Sequence, residues 1–371
     1  MSSVIENRIL RIKEIISDKN LDTLMVMVGE NRRYLSGFQG HDSQFDESSG
    51  VLFISKAGLI LATDSRYEEQ AIREAGNLYE IVCYKEGLAK QIPAILKKLG
   101  TKRLGFESVR LSYLDYRKIC KEIKSSGLEV KLVETENIVE TLREIKDEEE
   151  IELIQKALLI AETAFIRIQD SIRPGVTEKE AAWLIEKAMH EAGADGLSFP
   201  TIVASGPNSA LPHAIPSDRA FKENEPILFD WGAELEGYFS DISRTIVIGK
   251  PDEYFIKAYK AVLDAQLLAV NAIAPGSDSK SVDKIARSHI DSTEFSGKFT
   301  HGLGHGTGLS VHESPRVGSL SSTVLEPQMV FTVEPGIYIT GWGGIRLENM
   351  VVVRDKGAEV LNKLEEIISY K

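Results

Sequence analysis

Along the first 135 residues, short apolar runs alternate with segments whose apolar positions recur every three or four residues. The runs at 23–28, 51–55, 58–62, 81–84 and 103–107 read as strands, and the stretches around 66–75, 87–99 and 112–126 as helices. That order predicts an α/β domain with a mixed sheet. The chain then turns strongly charged between 135 and 147, after which Ile151, Ile154, Leu158, Ala161, Phe165 and Ile168 trace one face of a long helix. Pro174-Gly175 closes it, and Thr177 with Glu180 has the spacing of a capping box opening the next helix, through about His190. From 200 onward, strands at 226–233, 238–248, 328–334 and 346–354 alternate with helices near 252–273 and 280–292. The expectation is a domain over 1–135, a linker and domain start over 136–147, and a second domain over 148–371.

Length agrees, because 371 residues exceed what one hydrophobic core usually organises. With 43% hydrophobic and 27% charged residues the composition is that of a globular protein. A net charge of -12 and a pI near 5.3 argue against nucleic-acid binding, which needs a concentrated basic surface. Cys83 and Cys120 lack metal-ligand spacing and read as reduced, core-packed thiols. The N-terminal stretch carries Ile5, Ile9, Ile12 and Ile16 at helical spacing but is charged throughout, unlike a signal peptide, and no run approaches the roughly 20 apolar residues that span a bilayer. A cytoplasmic protein without membrane partners is expected.

All the candidate chemistry lies after residue 200. EPILFDWGAELEGYFSDISRTIVIG at 225–249 reads as a hairpin. If its turn is centred between Leu235 and Glu236, Asp230 and Asp241 face each other across the strands. Directly opposed like charges destabilise a sheet. A carboxylate within an Ile-Leu-Phe-Asp-Trp run needs protonation, a basic partner or a cation, and a cation is the economical explanation. MVFTVEPGIYITGWGGIRLENMVVV repeats the logic, with Glu334 and Glu348 symmetric about Gly341, although Pro335 and Gly336 can break that register. Between the pairs, HGLGHGTGLSVHE places His301, His305 and His312, three of the seven histidines, among glycines that permit tight turns. Taken singly, an acid in a hairpin is ordinarily solvated and a lone histidine is ordinarily no ligand. Four acids in apolar strands beside a histidine cluster suit hard or intermediate divalent ions such as Mn²⁺, Co²⁺ or Zn²⁺, with charge enough for two.

The strings DWGAELEGYFSDISRT, HGLGHGTGLSVHE, TVEPGIY and GIRLEN resemble, in order and spacing, the metal-binding blocks of the creatinase/aminopeptidase ("pita-bread") metallopeptidase family, in its Xaa-Pro aminopeptidase and prolidase branch. LREIKDEEEIELIQKA resembles the start of that family's catalytic domain, SGPNSALPHAIPSDR its first histidine block, and YLSGFQG with ATDSRYEEQA its N-terminal domain, so nearly the whole chain is covered. The resemblance implies an α/β (α+β) protein, a creatinase-like N-terminal domain followed by a pita-bread catalytic domain. It implies that Asp230 chelates one metal, that Asp241 and Glu348 bridge two, and that His305 and Glu334 complete the other. Glu334 matches the general base, and His213 and His312 match histidines that hydrogen-bond substrate and stabilise the tetrahedral intermediate. His301 matches a further pocket histidine, Arg346 an arginine that buttresses the site, and Tyr338 a lining residue.

The activity so implied is hydrolysis of the bond between an N-terminal residue and a following proline, whose tertiary amide and fixed φ defeat ordinary peptidases. Aminopeptidase P-like action on longer peptides is the first expectation, with prolidase action on dipeptides as the alternative. Two Mn²⁺ ions, a proline-containing peptide as substrate and a homodimer complete the picture. An inactive binding module of the same fold would have lost ligands, and an amidinohydrolase would have substituted them. The N-terminal domain argues against methionine aminopeptidase. The chain departs from the family pattern in the long GHDSQFDESSG segment at 40–50 and in Asn349, where an acid often stands.

Overall fold

A computed structural model describes residues 2–42, 44, 47–365 and 369–370. Ser43, Phe45 and Asp46 of the long 40–50 segment lie outside the described residues. The chain divides into two compact units, Met1–Arg143 and Glu144–Lys371. The stretch expected as linker contains a helix, Ile138–Glu144.

The first unit is built on a six-stranded sheet, in the order Glu80–Cys83, Leu59–Thr63, Val51–Ser55, Thr23–Val26, Arg103–Glu107, Lys131–Thr135. Val51–Ser55 is antiparallel to both neighbours and the remaining pairs are parallel, the mixed sheet that the alternating pattern predicts. Strand Lys131–Thr135 and helix Gly29–Ser36 escaped the sequence reading. The strand is only half buried, with Lys131 and Glu134 on either side of its two apolar residues. The helix is dominated by polar residues, yet Asn31 and Arg32 in it are fully buried. What admits them is polar pairing: Asn31 donates to Glu107 at 2.7 Å, and Arg32 donates to the Gly40 and Gly50 carbonyls and to Asp42.

In the second unit, helix Glu148–Ile168 opens on a capping box from Asp147 and Glu150, and helix Glu178–Glu191 on the expected one from Thr177 and Glu180. Phe165 of the first helix stacks on Trp231, with centroids 4.7 Å apart, and the indole N–H donates to the Ala161 carbonyl at 2.9 Å. This pins the end of strand Pro226–Trp231, next to Asp230. That strand is central in a sheet with Ile202–Ser205 and Ile242–Ile248. A second sheet runs Glu313–Val317, Gly304–Gly306, Val330–Val333, Asn349–Arg354, Gly357–Val360, and a two-stranded ribbon joins Gly336–Ile339 to Gly343–Arg346. Helices Glu253–Ala272 and Ser279–Asp291 cover them through a core that includes Phe255, Val262, Phe331, Ile337 and Val351. Helices thus lie outside and polar-bearing strand ends inside. Among the described residues no helix is long and apolar enough to cross a membrane.

Two outcomes test this account. Phe165→Ala is expected to destabilise the second unit by about 3–5 kcal/mol, the cost of emptying an aromatic core position, read from urea unfolding followed by circular dichroism. Glu107 of the first unit accepts the Met27 and Val28 amides at 2.6 and 2.7 Å, but burial still pushes its carboxyl up to about 7. Between 4.5, its ordinary value, and 7 the native state holds more protons than the unfolded chain, so stability is full below that window and falls as pH rises through it. Glu107→Gln is expected to make that slope shallower, leaving the part contributed by other buried acids, in unfolding curves taken on either side of the window.

Candidate metal centre

The hairpin that carries Asp230 and Asp241 has a different register from the expected one. Leu235 pairs with Tyr238, and Asp230 sits opposite Ser243. The turn is Glu236-Gly237, both at positive φ, 47° and 74°. A two-residue turn that follows the twist of its strands needs positive φ at both positions, which Gly237 supplies and Leu235 would resist. The shift amounts to two residues, one full side-chain period, so Asp230 and Asp241 still share a face, now as diagonal neighbours.

The second hairpin keeps its symmetry about Gly341 through Pro335 and Gly336. Phe331 pairs with Val351 and Val333 with Asn349 on one side of the break, Gly336 with Arg346 on the other. At the break the ladder splays. Glu334 N–H donates to the Leu303 carbonyl at 2.8 Å and Glu348 N–H to the Ser243 carbonyl at 3.1 Å. Each glutamate is thereby handed to a neighbouring strand that brings a candidate ligand of its own. The glycines around His305 do something other than turn. None of Gly302, Gly304, Gly306 and Gly308 has positive φ. Instead a Cβ on Gly304 would come within 1.8 Å of the Thr332 carbonyl oxygen, and one on Gly306 within 2.0 Å of that of Ser314. Their absent side chains let three strands close around the imidazole.

The result is a buried cluster. Ligating atoms of Asp241, His305 and Glu348 all lie within 4.8 Å of one another. His305 Nε2 is 3.5 Å from Asp241 Oδ2 and 3.4 Å from Glu334 Oε1. Its Nδ1 lies 3.1 Å from the Gly306 carbonyl oxygen, which only accepts, so Nδ1 carries the ring proton. Burial holds His305 down to about 3, so the ring is neutral and turns a bare lone pair toward two carboxylates. Burial first, then the neighbouring carboxylates, drive Asp241 and Glu348 well above the usual range, and burial pushes Glu334 up to about 7. One guanidinium answers four acids: Arg346 donates to Asp230 Oδ2 at 2.5 Å and to Ser243 Oγ at 2.8 Å, and Ser243 donates on to Glu348 Oε2 at 2.8 Å. Asp230 Oδ1 and Glu348 Oε1 remain buried with no hydrogen-bond partner among the described residues. Once these acids ionise, lone pairs face lone pairs beside two orphaned carboxylate oxygens, the chemistry of a donor set that fits divalent cations.

A cavity of about 910 Å³ opens on this cluster, lined by all five residues together with His213, His301, His312 and Arg346. His312 stands edge-on to His305, centroids 4.3 Å apart, and partial burial followed by Arg316 lowers its pKa. Tyr338 is not part of the lining. It is buried behind His301, its hydroxyl between His301 Nε2 and Arg346 Nη1. The sequence reading missed Arg287, Arg316, Phe199, Ile215 and Leu320 in the cavity wall. Two of the five carried a signal: Ile215 lies inside the SGPNSALPHAIPSDR string, and Arg316 follows His312 by four residues, just past HGLGHGTGLSVHE.

Residues 152–355 match the model of metallopeptidase family M24, and residues 8–145 that of the creatinase/prolidase N-terminal domain. A Xaa-Pro dipeptidase of Pyrococcus furiosus is 36% identical over 363 residues, 97% of this chain and 99% of its own. A solved Xaa-Pro dipeptidase from Bacillus anthracis superposes with a TM-score of 0.92 at 38% identity, over 99% of this chain and 100% of that one. An X-Pro aminopeptidase from Thermotoga maritima superposes with a TM-score of 0.87 at 36% identity, over 97% and 100%. With both domains matched and relatives aligned almost end to end, the chain belongs to metallopeptidase family M24: a creatinase-type N-terminal domain and a pita-bread domain that make up a metal-dependent peptidase.

Proposed function

We propose that the chain is an Xaa-Pro dipeptidase, in which Asp230, Asp241, His305, Glu334 and Glu348 hold two divalent ions, most simply Mn²⁺. The observation that carries this reading is the neutral His305 lone pair facing Asp241 and Glu334 beside the orphaned oxygens of Asp230 and Glu348. Divalent cations in such a donor set acidify water and polarise a carbonyl. The protein's part is to orient and to move protons. Glu334, the most exposed of the four acids, takes the base role at its carboxylate oxygen. His213 and His312 open on the cavity and offer ring N–H groups to a carbonyl oxygen gathering charge. Arg346 occupies one oxygen of Asp230 and leaves the other for a cation.

The aminopeptidase P-like expectation gives way to dipeptidase action. The relatives from Pyrococcus furiosus, Pyrococcus horikoshii and Bacillus anthracis are named Xaa-Pro dipeptidases, and the ligand set alone does not distinguish the two activities. A feature of the cavity supports the change. Strand Glu313–Val317 sets Arg316 directly opposite His305, so its guanidinium shares the His305 face and lines the cavity, where the C-terminal carboxylate of a dipeptide can meet it.

Chelation is expected to abolish hydrolysis of Ala-Pro, and Mn²⁺, Co²⁺ or Zn²⁺ added singly to restore it to different extents. Asp241→Ala is expected to lose both turnover and bound metal by elemental analysis. Glu334→Gln is expected to keep its fold while kcat drops by about 10²–10⁴, the usual worth of a positioned acid–base group. A binding module would instead retain Ala-Pro without cleaving it at any metal concentration. Arg316→Ala is expected to raise KM for Ala-Pro by about 10–100-fold, a charged hydrogen bond's worth, and to leave Ala-Pro-amide almost unaffected. Equal losses on both substrates would remove the support for dipeptide recognition.

A further inference from the structure

A helix that supplies none of the expected site residues reaches the cavity wall through Arg287, which is held by the buried Asp283. Asp283 and Arg287 stand one turn apart on helix Ser279–Asp291 and pair through two bonds, Arg287 Nε to Asp283 Oδ2 at 3.0 Å and Nη2 to Oδ1 at 2.8 Å. Arg287 also donates to the Phe299 and His301 carbonyls, both at 2.7 Å, with its guanidinium 4.2 Å from the Phe299 ring centroid. Asp283 Oδ1 accepts the Leu303 N–H at 3.1 Å. One ion pair thus grips residues 299, 301 and 303 of a single stretch, while Thr300, His301 and Gly302 line the cavity.

The grip has a chemical consequence. Leu303 N–H and the Gly302 carbonyl belong to one planar trans peptide and point in opposite directions. By taking the N–H, Asp283 turns the carbonyl away from itself, and its oxygen lies 2.8 Å from His301 Nδ1. A carbonyl only accepts, so Nδ1 carries the proton and Nε2 of the neutral ring is an acceptor. Burial, which holds His301 down to about 4, keeps it neutral. Nε2 lies 3.0 Å from the Tyr338 hydroxyl, which therefore donates to it, while the hydroxyl oxygen accepts from Arg346 Nη1 at 2.7 Å. Both ring nitrogens of His301 are used within the protein.

We propose that the Asp283–Arg287 pair is a tautomer lock: by orienting the Gly302 peptide it holds His301 as the Nδ1–H form and so fixes the direction of the hydrogen-bond line from Arg346 through Tyr338 to His301. His301 is then a positioning residue, in contrast to the substrate-facing role that the resemblance implies. The inference rests on the proposed function only for what the cavity hydrolyses, and its main readout needs no hydrolysis.

The test is two-bond ¹H–¹⁵N correlation of the histidine rings in the full chain, labelled at histidine and loaded with diamagnetic Zn²⁺, the His301 signal being assigned by its loss in His301→Gln. The wild-type ring is expected to be a single neutral Nδ1–H tautomer. Asp283→Ala is expected to give a tautomer mixture and about a tenfold lower kcat/KM on Ala-Pro. Asp283→Asn, whose side-chain oxygen can still accept the Leu303 N–H, is expected to restore the single tautomer. Tyr338→Phe is expected to leave it unchanged, because Gly302 still accepts. If Asp283→Ala does not fold, Arg287→Ala, which frees the His301 carbonyl and leaves Asp283 unanchored, is expected to show the same mixture. A wild-type Nε2–H ring, an unmixed Nδ1–H ring in the alanine variant that is read, or a switch caused by Tyr338→Phe would overturn the lock. A wild type with the expected tautomer but no cleavage of Ala-Pro would sink the dipeptidase reading and leave the lock standing.

Discussion

Four carboxylates forced into one buried space, with a single guanidinium and a neutral imidazole among them, are the constraint around which the second domain is arranged. Each ionised acid pays for desolvation, and each raises its neighbours' cost by direct repulsion. Asp241 and Glu348 are accordingly pushed well above the carboxylate range. Arg346 relieves one oxygen of Asp230 and, through Ser243, steadies Glu348, but it leaves two buried acceptor atoms unmatched. In ordinary cores nearly every such atom is satisfied. A domain that tolerates this arrangement has a use for it, and divalent cations are the partners that turn mutual repulsion into shared ligation.

Backbone geometry makes the crowding possible. The two hairpins are each registered so that their acids share a face, and the second gives up its ladder at the acids themselves. Glu334 and Glu348 turn their amides to the Leu303 and Ser243 carbonyls, which brings the histidine strand and the aspartate strand alongside. Gly304 and Gly306 let those strands approach to distances at which any Cβ would collide with a carbonyl. The stack of Phe165 on Trp231 then holds the aspartate strand from outside.

Much of this was legible in the residues themselves. Periodicity located the central strands and long helices, because their apolar faces are strict, and the capping box at Thr177 and Glu180 carried its own signature. The symmetry of Glu334 and Glu348 about Gly341 was readable because the register is an arithmetic property of a hairpin with an evident turn. The register of Asp230 against Asp241 was misread by one side-chain period, since the demand for positive φ at Glu236-Gly237 outweighs the midpoint of the polar stretch. Helix Gly29–Ser36 was invisible to a hydrophobic pattern because Tyr34 and Leu35 share its buried face with Asn31 and Arg32, which are buried by pairing and not by apolarity. The cavity wall was hidden for a different reason: Phe199, Arg287 and Leu320 come from separate segments that only the tertiary fold gathers. The resemblance named ligand residues, but it carried no account of which atoms face which.

Asn349 shows what such an account adds. It stands where an acid often does, directly after Glu348, in a buried position that already holds too much negative charge. Its Oδ1 accepts from Arg244 Nη2 at 2.9 Å, and its Nδ2 donates to Gln266 Oε1 at 3.4 Å. Gln266, from helix Glu253–Ala272, spends its own amide hydrogens on the Val333 and Leu347 carbonyls, the residues immediately before Glu334 and Glu348. Arg244 in turn donates to the Glu348 carbonyl at 2.6 Å. The three side chains therefore brace both glutamates where the ladder opens and can no longer hold them. An aspartate could keep the bond to Arg244, but it has no hydrogen for Gln266 Oε1, and Gln266 cannot flip without dropping both carbonyls. In this chain the neutral amide is what closes the network, so the position is set by the donors that the surrounding residues require and not by the charge of the candidate metal ligands next door.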